Sequence, residues 1–307
     1  MSASASSGPV RPGRTEKVSR PARPVRTAQE VRRVISSKIG WVACGVALAL
    51  VIGPLLDIVW VVAYNGASAF SPKLFTSSTP PAGVGLWNAI EGTAVISFMA
   101  MAIAVPIGVG AGIYLSEYGD NKLGNSIRFL SDVLTGTPSI VLGYFSYIVL
   151  VGGLGWGLAA PAGAVTIAIL IVPYLARITE LALRQVPVAM REAGFALGAS
   201  EPAVVFKIIL PGAASGVLTG ALLALAISVG ETAPLIYTAG FSSYPLEGSH
   251  PIHAILHSQI GYLTYVIWSF IEQPDAASHA LAFAAAFLVM LFVLAINIGV
   301  RMAVRRK

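Results

Sequence analysis

Long apolar runs, one after another, constrain this chain more than any other feature. A membrane-crossing helix needs about 20 apolar residues in succession. Segments of that kind fall at residues 39–64, 87–115, 133–154, 161–183, 213–237 and 280–302. Only 11% of the 307 residues are charged and 56% are hydrophobic, too little charge for a soluble domain. In hydrocarbon each backbone polar group must be satisfied inside its own segment. The expected fold is therefore all-α: a polytopic membrane protein with six transmembrane helices. The first run is far longer than the signal-peptide core of about 7–15 residues. It is read as a retained span, although "ASAF" at 67–70 resembles a cleavage site.

Charge fixes the orientation. With the N-terminus inside, Arg11, Arg14, Lys17, Arg20, Arg23, Arg26, Arg32, Arg33 and Lys38 precede the first span. Lys122, Arg128, Arg177, Arg184, Arg191 and Lys207 lie at inner ends, and Arg301, Arg305, Arg306 and Lys307 follow the last span. Lys73 alone falls outside. Both termini are predicted cytoplasmic, and the net charge of +6 belongs to this asymmetry, not to a nucleic-acid surface. Residues 1–38 are rich in Ser, Pro and Arg and bury too little to offset chain entropy. They are predicted to form a disordered basic cytoplasmic tail, open to anionic lipid or to plain solvation. Residues 39–79 supply the first helix and an outer loop, and 303–307 a basic cytoplasmic end.

Cys44, the single cysteine, lies in an apolar run and supports neither a disulfide nor a metal site. His250, His253, His257 and His279 fall in or beside the outer loop 241–278, without a nearby acid or cysteine to complete a metal centre. They are read as surface histidines, with no metal and no catalytic residue expected. "SQIGYLTYVIW" in that loop predicts a short helix at the outer interface, where Tyr and Trp are favoured.

The membrane pattern is interrupted by "REAGFALGASEPAVVFKIILPG", residues 191–212. The stretch reads as helix, glycine turn, helix. Ser200 is placed to cap a second helix whose first turn holds Glu201 and Pro202. Pro211 is expected to end it. Gly198 allows a sharp turn and the close approach of another backbone. From the residues alone, the stretch is either a rigid knob for a partner or an amphipathic loop on the bilayer.

Glu192, Ala193, Gly198, Ile208, Leu210 and Pro211 stand at the spacing of the cytoplasmic loop motif of ABC importer permeases, which the chain resembles. Gly194 departs from it by replacing a second alanine and lowers helix propensity slightly. "TGTPSIVLGYFSY" at 135–147, "GIYLSEYG" at 112–119, "LARITELALRQVP" at 175–187 and "SVGETAPLIYTA" at 228–239 resemble the phosphate-specific permeases, the PstA type more than the PstC type. The likeness spans roughly residues 80–300, and 80–302 is taken as the ABC importer transmembrane domain of type I. It implies that the loop is a coupling helix seated in a cleft of an ATPase subunit. It also implies a second permease of the PstC type, a pair of PstB-type ATPases and an external PstS-type phosphate-binding protein. The chain carries no G-x-x-x-x-G-K-[ST] loop, so ATP and Mg belong to the partner ATPase and no cofactor is expected here. One copy of the motif makes the chain half a pore.

Ionisable residues inside a membrane are costly and are functional candidates by default. Arg177 and Glu180, three residues apart on the fourth span, are placed to pair. Glu231 lies in the fifth span, with Gly230, Thr232 and Pro234 around it. Pro234 removes a helical donor and should kink the span there. A carboxylate repels a phosphate dianion, yet it accepts the O–H of hydrogen phosphate, which sulfate lacks at neutral pH. Glu231 is thus either a pathway acceptor or half of a structural pair with Arg177. Thr135, Thr137 and Ser139 around Pro138 offer hydroxyls that hold an anion without trapping it. They equally suit carbonyls that a proline leaves free.

The reading that follows from residues and resemblance is a non-catalytic permease subunit of an ATP-driven phosphate importer in the bacterial inner membrane. Alternatives are a permease for another oxyanion such as sulfate or molybdate, and an ATPase-independent channel or carrier. The coupling motif speaks against the latter.

Overall fold

The computed structural model describes residues 28–246 and 255–305, and no strand occurs among them. Its helices are α1 (Ala28–Ser68), α2 (Trp87–Glu117), α3 (Lys122–Gly136), α4 (Ser139–Ser146), α5 (Ala160–Arg184) and α6 (Val188–Ala196). They continue as α7 (Glu201–Val204), α8 (Leu210–Gly230), α9 (Ala233–Thr238), α10 (Leu263–Phe270) and α11 (Ala276–Arg305). Five are long and apolar enough to cross a membrane, and the bent pair α3–α4 brings the number of crossings to six. The helix α1 begins ahead of the expected residue 39. No proline or glycine stands between Ala28 and Ile39 to stop it. The rest of the expected tail, residues 1–27, lies outside the described residues. The chain divides into two units, 1–57 and 58–307, the boundary falling within α1.

In the second unit α5 is the central helix. Ile167, Ile171 and Leu175 are wholly buried, and both faces of the helix are covered. Two rows of small residues let its neighbours approach. On α2, a Cβ at Gly108 would stand 2.5 Å from the Leu175 side chain, and one at Gly112 would stand 2.4 Å from Thr179. On α8, a Cβ at Gly216 would meet Ala182 at 2.7 Å and one at Gly220 would meet Ile178 at 2.5 Å. Lipid tails are as apolar as leucine, so helices in a membrane associate through packing, and small residues four apart permit it. Both seams carry that spacing.

The end of the bundle at the start of α2 is closed by hydrogen bonds from loops back to α2. Buried Asn88 accepts from the Thr79 N–H and donates to the Thr79 hydroxyl and the Ser242 carbonyl. The expected short helix forms as α10, and the segment leading to it is packed into the protein. Ile260 and Tyr262 are buried, the Gly261 backbone packs on Gly92 of α2, and the Leu263 N–H donates to Thr93. Phe241 stacks on Tyr265, and Tyr262 meets both rings edge-on. At the start of α11 the Ser278 hydroxyl and N–H hold the Asp275 carboxyl below the usual carboxylate range.

Gly112→Val should therefore force α2 away from α5, at a cost of about 1–3 kcal/mol. Gly110 has open space where its side chain would be. Gly110→Ala should leave stability unchanged. Thermal unfolding of the detergent-purified protein compares the two directly.

Candidate functional site

Two helix breaks adjoin: the bend within the α3–α4 crossing, and the end of the continuous helix Glu201–Gly230. In the first, α3 and α4 meet at 102° around Thr137 and Pro138. The expected span 133–154 is thus a bent pair. Pro138 cannot donate to the preceding turn, and it holds the residue before it in an extended conformation, as seen at Thr137 (φ −81°, ψ 131°). The Thr137 hydroxyl donates to the Val133 carbonyl and the Thr135 hydroxyl to Ser131, each at 2.8 Å. Both threonines therefore satisfy carbonyls of their own helix. Ser139 starts α4.

In the second, the fifth span is broken and not merely kinked. The helix α8 ends at Gly230, Glu231 is extended (φ −71°, ψ 136°), and α9 starts with Pro234 in its first turn. With no helical donor available, the Glu231 carbonyl accepts the Thr264 hydroxyl of α10 at 2.8 Å. The helix α9 packs on α4 without a gap: a Cβ at Gly143 would stand 2.4 Å from the Pro234 Cα. This contact sets the Ser139 side chain beside that of Glu231. The structure thus gathers Pro138, Ser139, Glu231, Thr232 and Pro234 at one place, from two separate stretches of sequence.

Arg177 and Glu180 lie elsewhere, toward the inner ends of α2, α3 and α5. Arg177 pairs with Glu180 at 3.3 Å and not with Glu231. The Glu180 side chain is only 3% exposed and also receives Arg128 at 2.9 Å and Arg184 at 3.1 Å. Arg128, on α3, further donates to the Gly119 and Leu115 carbonyls at the end of α2. This node ties three helices together around one buried carboxylate.

The segment 191–212 forms the expected helix, turn and helix. Gly198 has φ +76°, a left-handed conformation that only glycine adopts freely. No neighbour lies within 4 Å of the place of its Cβ, so the turn and not close packing calls for glycine there. Ser200 occupies the cap position of α7, but its side chain makes no capping bond. Pro211 does not end the helix. A π-helical turn, Val205–Ile209, carries α7 into α8, and Glu201–Gly230 is one continuous helix with Pro211 in its interior. The wider turn redirects the backbone bonds just where proline would otherwise leave a carbonyl unsatisfied; Leu210 donates five residues back to Val205. Gly194, the departure from the motif, is buried against Ile208 and Val204, where a Cβ would stand 2.6 Å from Ile208. Glu192, Phe195, Leu197 and Phe206 are exposed, Leu197 at 88%.

Several charged positions gain meaning from the structure. Glu91 of α2 accepts the Leu246 N–H at 3.2 Å. Asp57 is an exposed carboxylate within the apolar run of α1. Glu117 of α2 pairs with Arg191 of α6. Each was visible as an acid inside or at the end of an apolar run. Arg128 gave no such signal, since an inner-loop base is fully accounted for by orientation. Among the described residues no cluster of His, Cys, Asp and Glu has the arrangement of a metal site, and His250 and His253 lie outside them.

A family model described as the binding-protein-dependent transport system inner membrane component matches residues 104–307. The phosphate transport system permease protein PstA 2 of Mycobacterium tuberculosis (strain CDC 1551 / Oshkosh) is 40% identical over 271 residues, covering 88% of each chain. The PstA permease of Yersinia pestis is 36% identical over 87% of this chain and 90% of its own. A probable PstA permease of Methanocaldococcus jannaschii is 32% identical over 89% and 95%. Among solved structures, the inward-facing MetNI methionine ABC transporter aligns with TM-score 0.54 and 21% identity, over 77% of this chain and 99% of that one. That likeness concerns the fold alone.

Glu180→Gln would leave its arginines without their carboxylate. Arg177 and Arg184 are about half exposed and lose little, whereas the Arg128 side chain is 19% exposed. The expected loss is about 3 kcal/mol, at the lower end for a broken buried pair. It should appear as a lower unfolding temperature and a reduced yield of monodisperse protein.

Proposed function

The chain belongs to the binding-protein-dependent transport system inner membrane component family, and we propose on that footing that it is the PstA-type permease subunit of an ATP-driven inorganic phosphate importer. The observation that carries the phosphate reading is the identity with phosphate transport permeases across nearly the whole chain. The protein is a multi-pass inner membrane protein. Its placement with both termini in the cytoplasm follows from the distribution of Lys and Arg. It performs no covalent chemistry. A PstB-type ATPase pair uses ATP and Mg, a PstC-type permease supplies the other half of the pathway, and a PstS-type protein delivers phosphate from outside.

The ATPase docks on α6 and α7, through the motif residues Glu192, Ala193, Gly198, Ile208, Leu210 and Pro211. The exposed apolar side chains Val188, Phe195, Leu197 and Phe206 on that segment support this reading, since a large apolar patch facing water marks an interface. The phosphate pathway runs past the paired helix breaks. Half-helix N-termini direct positive dipole ends at anions. Ser139 donates a hydroxyl, and Glu231 accepts the O–H of hydrogen phosphate while repelling a fully deprotonated oxyanion. Thr135, Thr137, Thr232 and Gly230 line the approach. The exposed face of α4, with Ile140, Tyr144, Phe145 and Ile148, is where the second permease completes the pathway. Closure of the ATPase pair then opens that pathway to the outside, in alternating access.

Uptake of radiolabelled phosphate into vesicles holding ATP, competed with sulfate and molybdate, tests the substrate. Phosphate uptake that neither competitor lowers is the expected result, and uptake of sulfate or molybdate in its place overturns it. Glu231→Gln keeps the shape but exchanges an acceptor for a donor. It should leave the complex assembled and lower uptake about ten-fold, the loss of one charge-assisted hydrogen bond. Gly198→Ala forces an L residue into the left-handed region at about 1–2 kcal/mol, and Gly198→Trp adds bulk at the docking face. Both should insert normally, and the tryptophan variant should lose co-purification with the ATPase. Normal uptake by Gly198→Trp would remove this segment from the coupling path.

A further inference from the structure

The short helix α6 lies beyond the spanning helices, yet one of its side chains is built into their inner ends. Arg191 donates from Nη1 to Oε2 of Glu117, in the last turn of α2. From Nη2 it donates to the Leu183 carbonyl, in the last turn of α5, at 2.9 Å. The other oxygen of Glu117 accepts the Ser116 hydroxyl at 2.7 Å. The Glu117 side chain is 9% exposed and that of Arg191 20%, so water competes little for either. Charge-assisted bonds of this kind are the strong, directional ones. The Leu183 carbonyl loses its donor four residues on, at Pro187, and shares its remaining capacity between the Val186 N–H at 3.2 Å and Arg191. A single guanidinium therefore links three helices. Beyond α6 the chain passes through Gly198, in its left-handed turn with open space around it, and only then enters the continuous helix α7–α8. The docking segment is held twice: α6 by Arg191, and the start of α7–α8 by Val204, Val205 and Ile209, buried against Leu183 and Val186.

We propose that Glu117 and Arg191 form a strut that makes α6 move as one body with α2 and α5, so that a displacement imposed on the docking segment reaches the core. Both are positioning residues: they act through the helices they join. The inference rests on the reading of α6 and α7 as the ATPase docking site. Without the strut, α6 keeps its packing of Gly194 on Val204 and Ile208 but loses its direct tie to α2, and closure of the ATPase pair reaches α2 less fully.

The test uses the whole complex in proteoliposomes with its phosphate-binding protein and measures phosphate taken up per ATP hydrolysed. Removing one partner alone leaves an uncompensated buried charge and endangers folding. The informative variant is therefore Glu117→Gln combined with Arg191→Gln, which removes both. It should assemble, hydrolyse ATP at close to the wild-type rate, and move about five-fold less phosphate per ATP or worse, the lower end of typical coupling between sites. A wild-type ratio in the assembled double variant overturns the strut and leaves the docking reading standing. Failure of the double variant to assemble also overturns it, by making the pair architectural. A wild-type complex without ATP-driven phosphate uptake removes the docking reading, and the strut with it.

Discussion

Close backbone approach to α5 is the constraint on which the rest of the structure depends. In water, burying apolar surface would hold these helices together; in lipid it cannot, because the surroundings are already apolar. What remains is contact, and contact requires that side chains be absent where the axes cross. Gly108 and Gly112 remove them on α2, and Gly216 and Gly220 remove them on α8. With α5 clasped from two sides, its inner end holds Glu180 where the arginines reach it. Its outer end meets α9, where the Ala159 N–H donates to the Thr238 carbonyl. The placement of the interrupted spans follows from that frame.

The interruptions show how a membrane protein makes a polar place at depth. Irregular backbone is tolerated in hydrocarbon only where protein or a cavity surrounds it. Here α10 returns from the outside to give Thr264 to the Glu231 carbonyl, and α4 lies against α9 through Gly143 and Pro234. The break costs little because its freed groups have partners, and it exposes a carboxylate and a hydroxyl that an unbroken helix would hold apart.

The six crossings were legible because hydropathy reports transfer into lipid, which is the property that selects them. The helix, turn and helix of 191–212 were legible from spacing, and Gly198 from the turn it had to make. The breaks were only half legible. Pro138 and Pro234 marked them, but apolar residues continue on both sides, so a hydropathy window runs straight through. Pro211 misled for the opposite reason: a π-helical turn absorbs it, and whether that turn forms depends on the packing of Val205 and Ile209, not on their identity alone. Arg177 and Glu180 were placed correctly as a pair, since three residues on a helix make neighbours by geometry. That Arg128 joins them from 52 positions away is a tertiary fact with no local trace. The same holds for Ser139 and Glu231, which the α4–α9 contact brings together.

The continuity of Glu201–Gly230 carries a mechanical consequence. A helix of that length is a rod of about 45 Å. It crosses α5 near its middle, at Gly216 and Gly220, where it lies in close contact with Ala182 and Ile178. That crossing is a fulcrum. A tilt of about 5° there swings each end through about 2 Å, in opposite directions, given the length of the rod. One end is the water-facing start of α7, and the other is Gly230, next to the Glu231 break. For a straight rod turning about that crossing, displacements at Glu201 and at the Glu231 break are opposite in sense and similar in size.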